Sequence, residues 1–205
     1  MQLLRTRFGL PVLVVMLLTA CAATQLNAVW KDPAYKAHPK KILVIAVAKN
    51  PENRKSLEDG FVAHLKARGS SAIASYTLLP EYKQNDQEGI AKLVREQGAD
   101  ALLITRLVGK RNRGSYVPGK FYQPPPNYST WRDYFGYGMD VEYMPGFMVD
   151  SRNSVMEINL YDTVSDQLIW SVSSETGGMG SGRDIIDSYI DVIMKNMSEQ
   201  GLLGS

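Results

Sequence analysis

Six consecutive apolar residues, Ile42-Leu-Val-Ile-Ala-Val47, constrain the fold more than anything else in the chain. An unbroken run this rich in β-branched residues suits a strand covered on both faces, and such a strand needs helices above and below it. The flanking sequence supplies them. Asn50 and Pro51 offer an N-cap and a first helical residue, and Leu57, Phe61 and Leu65 form an apolar stripe that stops at Gly69. Ala72 to Tyr76 read as a shorter strand. Asn85 and Glu88 have capping-box spacing ahead of a helix that turns Ile90, Leu93 and Val94 inward and ends near Gly98. Ala101 to Val108 form a third strand. Two successive β-α-β units require right-handed crossovers and a parallel core.

The last third changes period. Met156, Ile158 and Leu160 alternate with Glu157, Asn159 and Tyr161, and after a polar turn a second alternating run, Leu168 to Ser173, completes an antiparallel hairpin. Ser181 and Asp184 have capping-box spacing before Ile186, Tyr189, Ile190, Ile193 and Met197, which recur at helical intervals. The expected fold is a single α/β domain over residues 42–205, with a mixed five-stranded sheet and about three helices.

Residues 1–20 lie outside that domain. Arg5 and Arg7 precede an apolar run from Leu10 to Leu18, which has the form of an export signal and is shorter than the roughly 20 residues needed to span a membrane. Leu18-Thr19-Ala20-Cys21 follows and resembles the lipobox of bacterial lipoproteins. That resemblance implies cleavage before Cys21, lipid on its sulfur and amine, and, with Ala22 in place of a retaining aspartate, delivery to the outer membrane with the body facing the periplasm. Cys21 is the sole cysteine, so it has no disulfide partner, and acylation removes a thiol that an oxidising compartment would attack. Residues 21–41, mostly small and polar with Pro33 and Pro39, read as a lipidated tether.

Removing the signal also removes the excess positive charge. The full chain has 23 Lys and Arg against 21 Asp and Glu, and loss of Arg5 and Arg7 leaves 21 of each. A neutral body gives no support for nucleic-acid binding, which relies on a basic surface.

Residues 112–150 form an insertion rich in aromatic residues, Pro and Gly. Between Tyr116 and Phe147 it holds ten of the eighteen aromatics that remain once Phe8 leaves with the signal. Disordered segments are poor in aromatics, whereas Tyr and Trp bury area at interfaces and in cores alike. The insertion therefore serves either as a lid on its own sheet or as a surface for a protein or glycan partner. Tyr116, Phe121, Tyr122, Tyr128, Trp131, Tyr134, Phe135 and Tyr137 are the candidate contacts.

Catalytic and cofactor signatures are missing from the sequence. His38 and His64 have no second His or Cys at metal-ligand spacing, and no G-x-S-x-G elbow or Walker loop occurs. Gly178-x-Gly180-x-Gly182 precedes a helix but lacks the β-α-β context of a dinucleotide site. Glu58, four residues after Arg54, has the spacing of a surface ion pair, and Lys110, Arg111 and Arg113 could meet phosphate head groups. No metal or cofactor is expected. The favoured function is a nonenzymatic binding, accessory or scaffold role. The alternative is a hydrolase of envelope polymer using carboxylates such as Glu157, Glu175 or Asp140.

A broader likeness rests on Trp30-Lys-Asp-Pro33, Arg54 with Glu58-Asp59 and Phe61, Gly98-Ala-Asp100, Tyr116-Val-Pro-Gly119, and Asn159-Leu-Tyr-Asp162 followed by Leu168-Ile-Trp170. Together these resemble a group of uncharacterised Gram-negative lipoproteins. The order of elements is similar to the TolB amino-terminal domain, to domains of the curli secretion channel and to the lipoprotein activator of penicillin-binding proteins. The resemblance implies an envelope location and protein partners.

Overall fold

The computed structural model describes residues 23–80, 86–111, 129–140, 153–177 and 182–203. The elements run β1 (Ala23–Lys31), β2 (Lys41–Val47), α1 (Pro51–Ala67), β3 (Ser71–Ala74), a short 3-10 turn (Ser75–Thr77), α2 (Gln87–Gln97), β4 (Ala101–Arg111), α3 (Trp131–Asp140), β5 (Asn153–Asp162), β6 (Leu168–Gly177) and α4 (Gly182–Glu199). The strands form one sheet in the order β1-β6-β5-β4-β2-β3. β2 is parallel to both β3 and β4, and the remaining pairs are antiparallel. This is the mixed α/β architecture expected, with one more strand and one more helix.

Three layers result. Ile42, Val44 and Ala46 face a core built with Leu57, Phe61 and Leu65 of α1 and Tyr189, Ile190, Ile193, Met194 and Met197 of α4. Leu43 and Ile45 point the other way, into a core completed by Ile90, Leu93 and Val94 of α2 and by α3. The continuous apolar run of β2 is thus used on both faces, with Ile42 to Ala46 fully buried. The helix ends follow local chemistry. The Asn50 side chain accepts from Glu52 N and Asn53 N, and Gly98 closes α2 in the left-handed conformation at φ 57°. The N-cap of α2 is Asp86 rather than Asn85, its carboxylate accepting from Gly89 N at 3.0 Å.

The sixth strand corrects the expected tether. Ala23–Lys31 pairs antiparallel with β6 along its whole length, with an irregularity between Leu26 and Ala28. Leu26 and Val29 pack against the α1/α4 core, and Trp30 against the opposite one. Thr24 binds Thr176 at 2.8 Å and Ser188 of α4 at 3.0 Å. The bulge conceals the period-two pattern that would have marked these residues as a strand, because it shifts the inward face by one position. Little of the segment from 21 to 41 is therefore left as tether before the sheet begins.

Candidate functional site

Open α/β sheets gather ligands beyond the carboxyl ends of their parallel strands, where successive crossovers pass to opposite faces. Here that point lies between β2 and β3, because α1, which follows β2, covers one face and α2, which follows β3, the other. Two ion pairs are built beside it.

In the first, Arg54 Nε donates to Glu58 Oε1 at 3.0 Å, Nη1 to Pro80 O at 2.8 Å, and Nη2 to Ser75 Oγ and Leu79 O, each at 3.0 Å. Glu58 also accepts from Ala46 N at 3.0 Å, Ser75 Oγ at 2.9 Å and Tyr76 N at 2.8 Å. Both residues are buried, Glu58 completely. The helical spacing of this pair was legible, but its expected exposure is corrected. The chain leaving β3 passes over α1, and its backbone groups need charged partners once water is excluded. Asp59, next in the helix, diverges to the surface, where it accepts from Tyr76 Oη at 2.7 Å.

In the second, Arg106 and Glu157 face each other across the β4–β5 ladder. Arg106 Nη2 donates to Glu157 Oε2 at 3.0 Å and Nε to Tyr134 Oη at 3.0 Å, while the guanidinium carbon lies 4.7 Å from the centre of the Tyr134 ring. Glu157 and Glu175 share a face of the sheet as diagonal neighbours, since Glu157 is opposite Ser173 and Glu175 opposite Val155. Glu175 Oε1 accepts from Asn153 Nδ2 at 2.7 Å. Asp140 closes α3. The alternating polar face of the hairpin is covered rather than solvated. Its Asn159 and Ser171, cross-strand neighbours, are fully buried, and their side-chain nitrogen and oxygen atoms make no hydrogen bond within the protein.

The aromatic candidates divide. Trp131 is 1% exposed, and Tyr134 and Phe135 are completely buried in the core against α2, β4 and β5, so these three are not partner contacts. They fill the interior because α3 lies across the sheet: Trp131 Nε1 donates to Asp166 Oδ1 at 2.6 Å, Arg132 Nε to Asp166 Oδ2 at 3.2 Å, and the rings of Tyr134 and Tyr161 lie 6.1 Å apart. Asp166 holds φ 60° to make this contact, the one positive φ outside glycine among the described residues. The helix had a sequence signal. Thr130 Oγ1 accepts from Asp133 N at 3.2 Å and donates to Asp133 Oδ2 at 2.7 Å, a T-x-x-D cap followed by Trp131, Tyr134 and Phe135 at helical spacing. Tyr137 belongs to α3, and its side chain lies outside the described residues, as do Cys21, Tyr116, Phe121, Tyr122 and Tyr128.

His38 is exposed, and His64 Nδ1 lies 3.5 Å from Asp191 Oδ1. Among the described residues no group of three His, Cys, Asp or Glu is gathered closely enough to hold a metal ion, and no helix is long and apolar enough to cross a membrane.

No family model matches the chain, and no curated protein does. Solved structures to which it is similar include PelC dodecamers from Paraburkholderia phytofirmans in two crystal forms. These are 15% and 16% identical, with TM-scores of 0.47 and 0.46, covering 89% and 85% of this chain and 99% and 96% of theirs. The lipoprotein GNA1162 from Neisseria meningitidis is 14% identical with a TM-score of 0.43, covering 78% of this chain and 99% of its own.

Proposed function

We propose that the protein is a nonenzymatic accessory or binding lipoprotein of the cell envelope, anchored through lipid on Cys21 in the outer membrane with its body in the periplasm. The observation that carries the nonenzymatic part is the state of the sheet's carboxyl rim. Where such folds place substrates, Glu58 is saturated by four protein donors and Glu157 is paired with Arg106. The anchor is supported by the signal and lipobox at residues 1–21. With Trp131, Tyr134 and Phe135 committed to the core, the protein or glycan partner falls to Tyr116, Phe121, Tyr122 and Tyr128.

In-cell photocrosslinking from a probe at Phe121, compared with the same probe in a variant carrying Ser at Tyr116, Tyr122 and Tyr128, tests the partner role. Discrete adducts that the variant loses are expected; an unchanged adduct pattern refutes it. Cys21→Ser is expected to abolish fatty-acid labelling, and persistent labelling refutes the anchor.

One observation favours the hydrolase reading: Glu157 and Glu175 share a face at diagonal spacing. Purified protein that releases reducing ends from envelope glycan, and loses this activity in Glu175→Gln, would establish it.

A further inference from the structure

The start of β1 fixes more than the strand count. Ala23 is hydrogen-bonded into the sheet opposite Gly177, so one residue, Ala22, separates the candidate lipid-bearing cysteine from the folded body. Two residue steps span at most about 7 Å. A body on a leash that short has no freedom to turn away from the surface to which it is tied.

The sheet defines which part of the body lies there. Ala23 and Gly177 sit on the same rim as the Asn153–Arg111 pair at the start of β5 and the end of β4. β2 ends toward the same side, because Val47 is beside Arg106. α4 follows Gly177 and begins at this rim, whereas β2 and β3 end at the levels of Arg106 and Leu103, so α1 and α2 begin on the same side but well below it. The exposed Lys49 and Arg183 stand at the starts of α1 and α4. Ser188 of α4 bonds to Thr24 of β1 at 3.0 Å, so the exposed Arg183, more than one helical turn earlier, lies at the level of the rim. The opposite rim carries the β5–β6 turn, whose Val164 is 91% exposed. Nine residue steps of strand lie between Asn153 and Asp162, about 30 Å at the usual rise.

Building on the anchor proposed above, we infer that the rim formed by Ala23, Gly177, Asn153 and Arg111 is seated on the phospholipid surface, with Arg183 at head-group level and Val164 pointing away. Chain length enforces this orientation. Charge on this side of the sheet is not its cause, since Glu52, Glu88 and Asp184 already meet the helix starts. The sheet stands upright on the bilayer, and the turn at Thr163–Gln167 is the end farthest from it.

An acylated chain carries no free thiol, so a single introduced cysteine can be labelled specifically. The test uses full-length mature protein with Arg183→Cys or Val164→Cys, each carrying a fluorophore, in phosphatidylcholine vesicles containing a head-group nitroxide lipid. Mass spectrometry of the amino-terminal peptide establishes acylation in each preparation. Quenching several-fold stronger at 183 than at 164 is expected. Inserting a spacer of about ten Gly and Ser residues between Ala22 and Ala23, with a mean reach of about 17 Å, should remove most of that difference. Acylated protein quenched equally at both positions, or more at 164, overturns the orientation. A spacer variant that keeps the full difference overturns the chain-length account. A chain without acyl groups overturns the anchor itself, which the mass measurement separates from the other outcomes.

Discussion

Tyr35 holds its phenol where ionisation is unfavourable: partial burial, then the nearby Asp162 and Asp100 charges, push it from 10.0 up to about 12. Tyr189 is pushed the same way by complete burial between α4, to which it belongs, and the sheet, although its hydroxyl bond to Thr105 partly opposes the shift. A phenol with a raised folded-state pKa keeps its proton longer folded than unfolded, so its contribution is whole below pH 10 and is lost as pH climbs through about 12. Urea midpoints are therefore expected to stay level in this respect up to pH 10 and to fall above it, less steeply in Tyr35→Phe; a parallel fall in the variant would refute Tyr35 as a contributor. Glu58 makes a separate prediction at the same scale. Glu58→Ala strands the buried Arg54 guanidinium and should cost about 3–5 kcal/mol by urea denaturation, whereas Arg54→Met with Glu58→Leu should recover much of that loss. A single substitution costing under about 1 kcal/mol would show that water reaches the pair.

α3 shows what local pattern reveals and what it hides. Its cap and its aromatic spacing are written in residues 130–135, yet surrounding Pro, Gly and aromatic residues make the same stretch resemble an interface. Composition cannot separate these roles, because an aromatic ring stabilises a core and an interface by the same loss of wet surface. Only the placement of Asp166, thirty-five residues from Trp131, decides it. Trp131→Ala should accordingly cost about 3–5 kcal/mol, as large-to-small core changes do, where a surface aromatic would cost roughly 0.5 kcal/mol or less. A midpoint unchanged by the substitution would return Trp131 to the surface. The two β-α-β units were legible for the converse reason: β2 and its helices obey short-range periodicities that tertiary contacts reinforce. The ion pair was half legible. Its spacing is local, but its burial depends on where residues 75–80 travel after β3.

At the scale of the whole molecule, β1 is what makes the sheet six-stranded. A mature chain shortened to begin at Asp32 would leave β6 as an uncovered edge and remove Leu26, Val29 and Trp30 from their two cores. Such a chain should lose cooperative unfolding or aggregate through the open edge, while a chain in which residues 23–31 were mere linker would unfold unchanged. The pairing also sets an order of events in time. Thr24 meets Thr176 across 152 positions, a closure whose entropy must be met before any contact rewards it. A polypeptide delivered amino terminus first leaves residues 23–31 extended until β6 has followed them. In the anchored protein proposed above, the stretch beside Cys21 therefore stays open to an acylating enzyme throughout transit and is folded away only when the sheet completes.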